Sequence, residues 1–222
     1  NAIADYYNGN KRFFAPDVYF VIEVDQRGTG QSRPSVRDHA HNFHYYSHIS
    51  IDQIAADYEV VRQALGLEKW LVFGGSFGST ISINYGTRYP ERCLALIVRA
   101  IYLDTAVEVA SVYSRRMHLN NSKRLAEFDI LYEYAVQKSA RDFLPASPDD
   151  AEGLMRAYYE LIMSGDEKAM WHWFVFENNL MEWEPENLYD PYEIDMHHIR
   201  EARSVSFFET RLWLTGTYEQ PS

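Results

Sequence analysis

The chain has 222 residues, 46% of them hydrophobic and 24% charged, with a net charge of −11. That is ordinary for a water-exposed globular enzyme with one sizeable core, or one core plus an inserted subdomain. The acidic balance argues against a nucleic-acid surface and against an anionic membrane. Cys93 is the single cysteine, so no internal disulfide can form and a reducing, cytoplasmic compartment is expected. No apolar run reaches 18 residues, so no membrane span is expected.

Residues 18–25, Val-Tyr-Phe-Val-Ile-Glu-Val-Asp, form a β-branched and aromatic run that reads as a buried strand. It runs into Asp25-Gln26-Arg27-Gly28-Thr29-Gly30-Gln31-Ser32, a turn-rich loop whose glycines tolerate positive φ. Without a third glycine or a P-loop lysine, this is no phosphate-binding loop. His39, His41, His44 and His48 follow, but no cysteine or carboxylate pattern accompanies them, and no metal site is expected.

Ser50 with Gln53 fits a capping box. Ile51, Ile54, Tyr58, Val61 and Leu65 then recur at helical spacing until Gly66 stops the run. Residues 70–74 read as a strand, 77–88 as a helix and 94–99 as a further strand. This alternation implies a parallel sheet with right-handed crossovers, in which reactive residues lie beyond the carboxyl ends of strands.

Gly74-Gly75-Ser76-Phe77-Gly78 sits where the strand at 70–74 meets the helix at 77–88. A strand, Gly-x-Ser-x-Gly and a helix form the nucleophile elbow of α/β-hydrolases. A serine hydroxyl is a weak nucleophile until a sharp turn presents it beside a base. Gly74 and Gly78 let strand and helix approach closely around that turn, and the helix N-terminus offers free N–H groups to developing negative charge.

After Asp104 the pattern changes. Residues 105–140, 150–163, 166–182 and about 194–214 read as helical, with Pro145, Pro148, Pro185 and Pro191 at connections. The expected architecture is therefore α/β: a partial α/β-hydrolase core over residues 1–104, with a helical cap inserted over residues 105–222.

Three stretches together resemble the prolyl iminopeptidase family of α/β-hydrolases. They are Asp25-Gln26-Arg27-Gly28-x-Gly30-x-Ser32 with Pro34; Gly74-Gly75-Ser76-Phe77-Gly78-Ser79-Thr80 continuing through Tyr89-Pro90-Glu91-Arg92 to Leu103; and Trp173-Phe174-Val175-Phe176-Glu177. The resemblance implies a serine aminopeptidase that needs no metal or other cofactor and releases N-terminal proline from short peptides. By the same resemblance, Ser76 is the nucleophile and the Phe77 N–H contributes to the oxyanion hole. Glu177 and, on a looser match, Glu209 bind the substrate amine, with Glu201 as a competitor for the second place.

Departures from the family pattern accompany these matches. Its His-Gly-Gly-Pro-Gly oxyanion loop is absent, the chain opens on Asn1, and it closes on Glu219-Gln220-Pro221-Ser222. Downstream of Ser76, His118, His172, His197 and His198 all fall in the helical block, and Asp195 stands too near the last two to complete a triad. The expectation is a peptidase fragment truncated at both ends and inactive by itself. The competing readings are another serine α/β-hydrolase, such as an esterase or lactonase, and a non-catalytic truncated homologue.

Overall fold

A computed structural model describes residues 13–182 and 184–215. Asn1, the closing Glu219-Gln220-Pro221-Ser222 and the Gly216-Thr217-Tyr218 part of the stretch after Glu209 lie outside the described residues.

Helix α1 (Ile51–Ala64) opens on the expected capping box, with the Ser50 hydroxyl accepting from the Gln53 N–H and the Gln53 side chain accepting from the Ser50 N–H. Gly66, at φ +69°, ends it in the left-handed region. Strand β1 (Trp70–Ser76), helix α2 (Phe77–Arg88) and strand β2 (Cys93–Ile101) follow, and β1 pairs with β2 in parallel. Helix α2 supplies the crossover and packs on both strands and on α1. The register pairs Phe73 with Ile97 and Gly75 with Arg99, then slips so that Ser76 faces Ile101. Ala100, at φ +43°, is the residue skipped at that bulge.

A buried ion pair fixes the approach to β1. Arg62 donates to both Glu59 oxygens, at 2.8 and 2.6 Å, and to the Glu68 carbonyl at 3.0 Å; the Tyr85 hydroxyl adds a bond to Glu59 of 2.7 Å. The Arg62 guanidinium holds the Glu59 carboxyl down at about 2. One carboxylate thus joins α1, α2 and the turn into β1, with its charge paired as burial requires.

The reading of residues 18–25 as a buried strand needs correction. They form no ladder among the described residues, and Val18 and Phe20 are 69% and 83% exposed. A β-branched run favours extended backbone, but a strand exists only where a second chain segment accepts its hydrogen bonds, and that pairing is not a local property.

The helical reading of 105–140 also breaks. Helix α3 (Ala106–Tyr113) stops at Ser114, whose backbone is extended; a 3₁₀ turn (Arg115–His118) follows, and α4 (Ser122–Lys138) restarts on an Asn121 cap that accepts from the Arg124 N–H. Ser and Asn offer the backbone local hydrogen bonds that compete with helix continuation. Helices α5 (Ala151–Met163), α6 (Glu167–Met181) and α7 (Ile199–Thr215) lie close to the expected spans. Residues 169–176 of α6 are buried on every side, because the helix contacts α4, α5 and α7. The Phe43 ring stacks on Phe207 at 4.6 Å, and Gly28 (φ +81°) passes so close to Phe208 and Tyr46 that a Cβ there would lie 2.7 Å from the Phe208 ring. The loop that follows residues 18–25 is thereby held against α7. Among the described residues, no helix is long and apolar enough to cross a membrane.

Candidate active site

Ser76 lies at the junction of β1 and α2, exposed, with φ 53° and ψ −130°. That region is sparsely populated for a residue with a side chain and costs on the order of 1–3 kcal/mol. Close packing enforces it. A Cβ on Gly74 would lie 2.1 Å from the Gly78 carbonyl and 2.3 Å from the Ser82 hydroxyl, so strand and helix meet there with no room for a side chain. Phe77 opens α2, where first-turn N–H groups have no intrahelical acceptor, and its half-buried ring rests against the core.

Glu177 and Glu209 meet on the inner side of the helical segment. The Tyr113 hydroxyl donates to Glu177, and Trp173 Nε1 donates to Glu209 at 2.8 Å. The Tyr113 ring stacks on Trp173 at 5.0 Å and packs against Trp213 at 4.9 Å, so three aromatics from α3, α6 and α7 wall the two acids. Burial pushes the Glu177 carboxyl up to about 7. Burial, and then the charge of Glu177, push Glu209 well above the carboxylate range. Among the described residues no Lys, Arg or His forms an ion pair with either acid. Two half-buried acids without a paired cation, one raising the other's titration, would be relieved by a positive charge. Glu201, the competing glutamate, is engaged elsewhere in an ion pair with Arg37.

Tyr102 connects the two places. Its backbone meets the first turn of α2, where Thr80 donates to its carbonyl at 2.6 Å. Its phenol is raised by burial and by Asp104, with Glu177 among the charges that it feels. Tyr102 thus touches the elbow through its backbone, while its phenol feels the charge of Glu177.

Several histidines are held elsewhere. His118 Nε2 lies 2.7 Å from the Val112 carbonyl, and His198 Nδ1 lies 2.7 Å from Asp195. His172 is buried against Tyr134 at 4.4 Å, and burial pulls its ring down to about 4. His39 caps the 3₁₀ turn Ala40–Tyr46 by accepting from the His41 N–H at 2.9 Å. None of them hydrogen-bonds Ser76 among the described residues. Sequence reasoning missed Tyr113 and Tyr102 as wall residues. The only local signal was their aromatic character, which an ordinary core position shares.

A family model for the alpha/beta hydrolase fold matches residues 2–192. The proline iminopeptidase of Neisseria meningitidis serogroup A is 33% identical over 180 residues, which covers 79% of this chain and 51% of that protein. A probable proline iminopeptidase of Leptolyngbya boryana is 30% identical over 75% of this chain and 46% of its own length. The proline iminopeptidase of Arabidopsis thaliana is 28% identical over 71% of this chain and 36% of its own. The chain spans about half the length, or less, of these curated relatives.

Proposed function

Because the chain belongs to the α/β-hydrolase family, we propose that it carries the nucleophile and the amine-binding acids of a serine aminopeptidase that releases N-terminal proline from short peptides. The observation that carries this reading is the half-buried pair Glu177 and Glu209 beside Tyr113 and Trp173, without a cation among the described residues. An N-terminal proline presents a secondary ammonium with two N–H donors. Taken out of water, that cation needs carboxylate acceptors. An esterase has no such group to bind, so the acid pair is what separates the two readings. The names of the relatives support the proline assignment.

In this role Ser76 attacks the carbonyl carbon of the prolyl bond, the Phe77 N–H helps to hold the developing oxyanion, and Glu177 with Glu209 fixes the free amine so that only the first residue reaches the serine. Proton removal from Ser76 needs a base, and among the described residues no histidine hydrogen-bonds Ser76. The 222-residue chain by itself is therefore expected to turn over a proline arylamide slowly, at the level of a hydrolase that lacks its base.

Prolinamide binding, read by fluorescence of the tryptophans beside the acids, tests the amine site without requiring turnover. Saturable binding that Glu177→Gln weakens by about ten- to hundredfold is expected, the loss of one charge-assisted hydrogen bond. Absence of binding by the wild-type chain refutes the aminopeptidase reading. Rapid arylamide turnover that Ser76→Ala abolishes refutes the expectation that no described histidine serves Ser76 as base.

A further inference from the structure

The hydroxyl of Ser79 stands at the junction of three segments. It donates to the Ser76 carbonyl at 2.6 Å and accepts from the Tyr102 N–H at 2.9 Å, with the Tyr102 carbonyl 3.3 Å away. Ser79 and its neighbour Thr80 are 0% exposed, and the Thr80 hydroxyl donates to the same Tyr102 carbonyl. Tyr102 follows the bulge at Ala100, directly after the Ile101 that pairs with Ser76. The strained Ser76 and the residue two past the Ala100 bulge are thus tied to one buried oxygen. A hydroxyl has one proton to donate and two lone pairs to offer. Here the proton goes to the elbow and a lone pair takes the end of β2.

The geometry points to Ser79 as the positioning residue for Ser76: its hydroxyl locks the serine's carbonyl to the end of β2 and so holds the nucleophile in its strained conformation. The inference rests on the reading of Ser76 as nucleophile. Rotation of the Ser76 peptide toward a relaxed conformation would break the bond to Ser79, and with it the orientation that lets Ser79 receive the Tyr102 N–H. The elbow and the end of β2 therefore support each other. Thr80 differs in kind. It touches Tyr102 but not Ser76, so it anchors the strand end without gripping the elbow.

Acylation of Ser76 by p-nitrophenyl acetate, read by intact mass with Ser76→Ala as the blank, tests positioning without a complete catalytic cycle. Hydrogen exchange at the Tyr102 amide reports the clamp itself. Ser79→Ala is expected to slow acylation about ten- to hundredfold and to expose the Tyr102 amide. Ser79→Thr keeps the hydroxyl, in a position where threonine commonly bonds the carbonyl three residues back, and should restore the rate to within about threefold of wild type. Thr80→Val should leave acylation within about threefold. If Ser79→Ala does not fold, Ser79→Cys keeps the volume and weakens both bonds, with the same expectation. Unchanged acylation in the folded Ser79 variant overturns the proposal, as does equal loss in Thr80→Val. If the wild-type chain is not acylated at all, the nucleophile reading fails separately, and exchange alone decides the clamp: an unchanged Tyr102 amide in Ser79→Ala then overturns it.

Discussion

Replacing Glu177 by Gln should stabilise the fold at alkaline pH while weakening amine binding. Burial carries the Glu177 carboxyl from 4.5 to about 7 in the folded chain, while the unfolded chain titrates near 4.3. Between those values the folded state holds a proton that the unfolded state has released. Stability therefore falls as pH rises through this window, and the penalty is complete above it. A displacement of that size amounts to roughly 4 kcal/mol. Glutamine is neutral throughout, and its amide oxygen can still accept from the Tyr113 hydroxyl. For a chain of this length each kcal/mol moves Tm by about 2–4 °C.

Thermal melts at matched ionic strength are the assay. Near pH 4 the variant and the wild type should melt within about 2 °C of each other, and near pH 8.5 the variant should melt about 5 °C or more higher. Prolinamide should raise the wild-type Tm more than the variant's at the alkaline pH, because the ligand brings the missing positive charge. An equal gain at both pH values, or a loss at the higher one, would refute the account of Glu177 as an unpaired buried acid.

Gly74→Ala should be severe, because the added Cβ would lie 2.1 Å from backbone at Gly78; circular dichroism and ester acylation should show a loosened elbow and at least a tenfold loss of Ser76 reactivity, about what a displaced nucleophile loses. Glu59→Gln removes the charged partner of buried Arg62, and chemical denaturation should report a loss of about 3–5 kcal/mol.

Legibility in the sequence tracked how local each feature is. Helix α2 was expected over 77–88 and runs Phe77–Arg88, because Gly-x-Ser-x-Gly and the strand before it are contiguous. The Ser50 capping box was legible for the same reason, since donor and acceptor stand three residues apart. Residues 18–25 carry the same β propensity as β1, yet they form no ladder among the described residues, because pairing depends on a distant segment. The break between α3 and α4 was hidden behind continuous apolar spacing, and the backbone bond from the Arg115 N–H to the Pro148 carbonyl that accompanies it spans 33 residues. Glu177 stood out beside Trp173. What gives the pair its character, Tyr113 from α3 and Glu209 from α7, comes from residues 64 and 32 positions away, which no local pattern announces.

The two parts of the candidate site share an energetic logic. Ser76 occupies a backbone conformation that serine would not choose, held there by glycine contacts and by Ser79. Glu177 and Glu209 sit in a desolvated position that carboxylates would not choose, held there by the packing of α3, α6 and α7. Each arrangement costs folding free energy in the empty protein. An ammonium between the acids would recover the second cost on binding, whereas the first removes reorganisation from the attack itself. The acid pair would then act on affinity and the elbow on the chemical step. A change at Glu177 should therefore fall on binding of the amine and spare an ester without one, and a change at Ser79 should slow both alike.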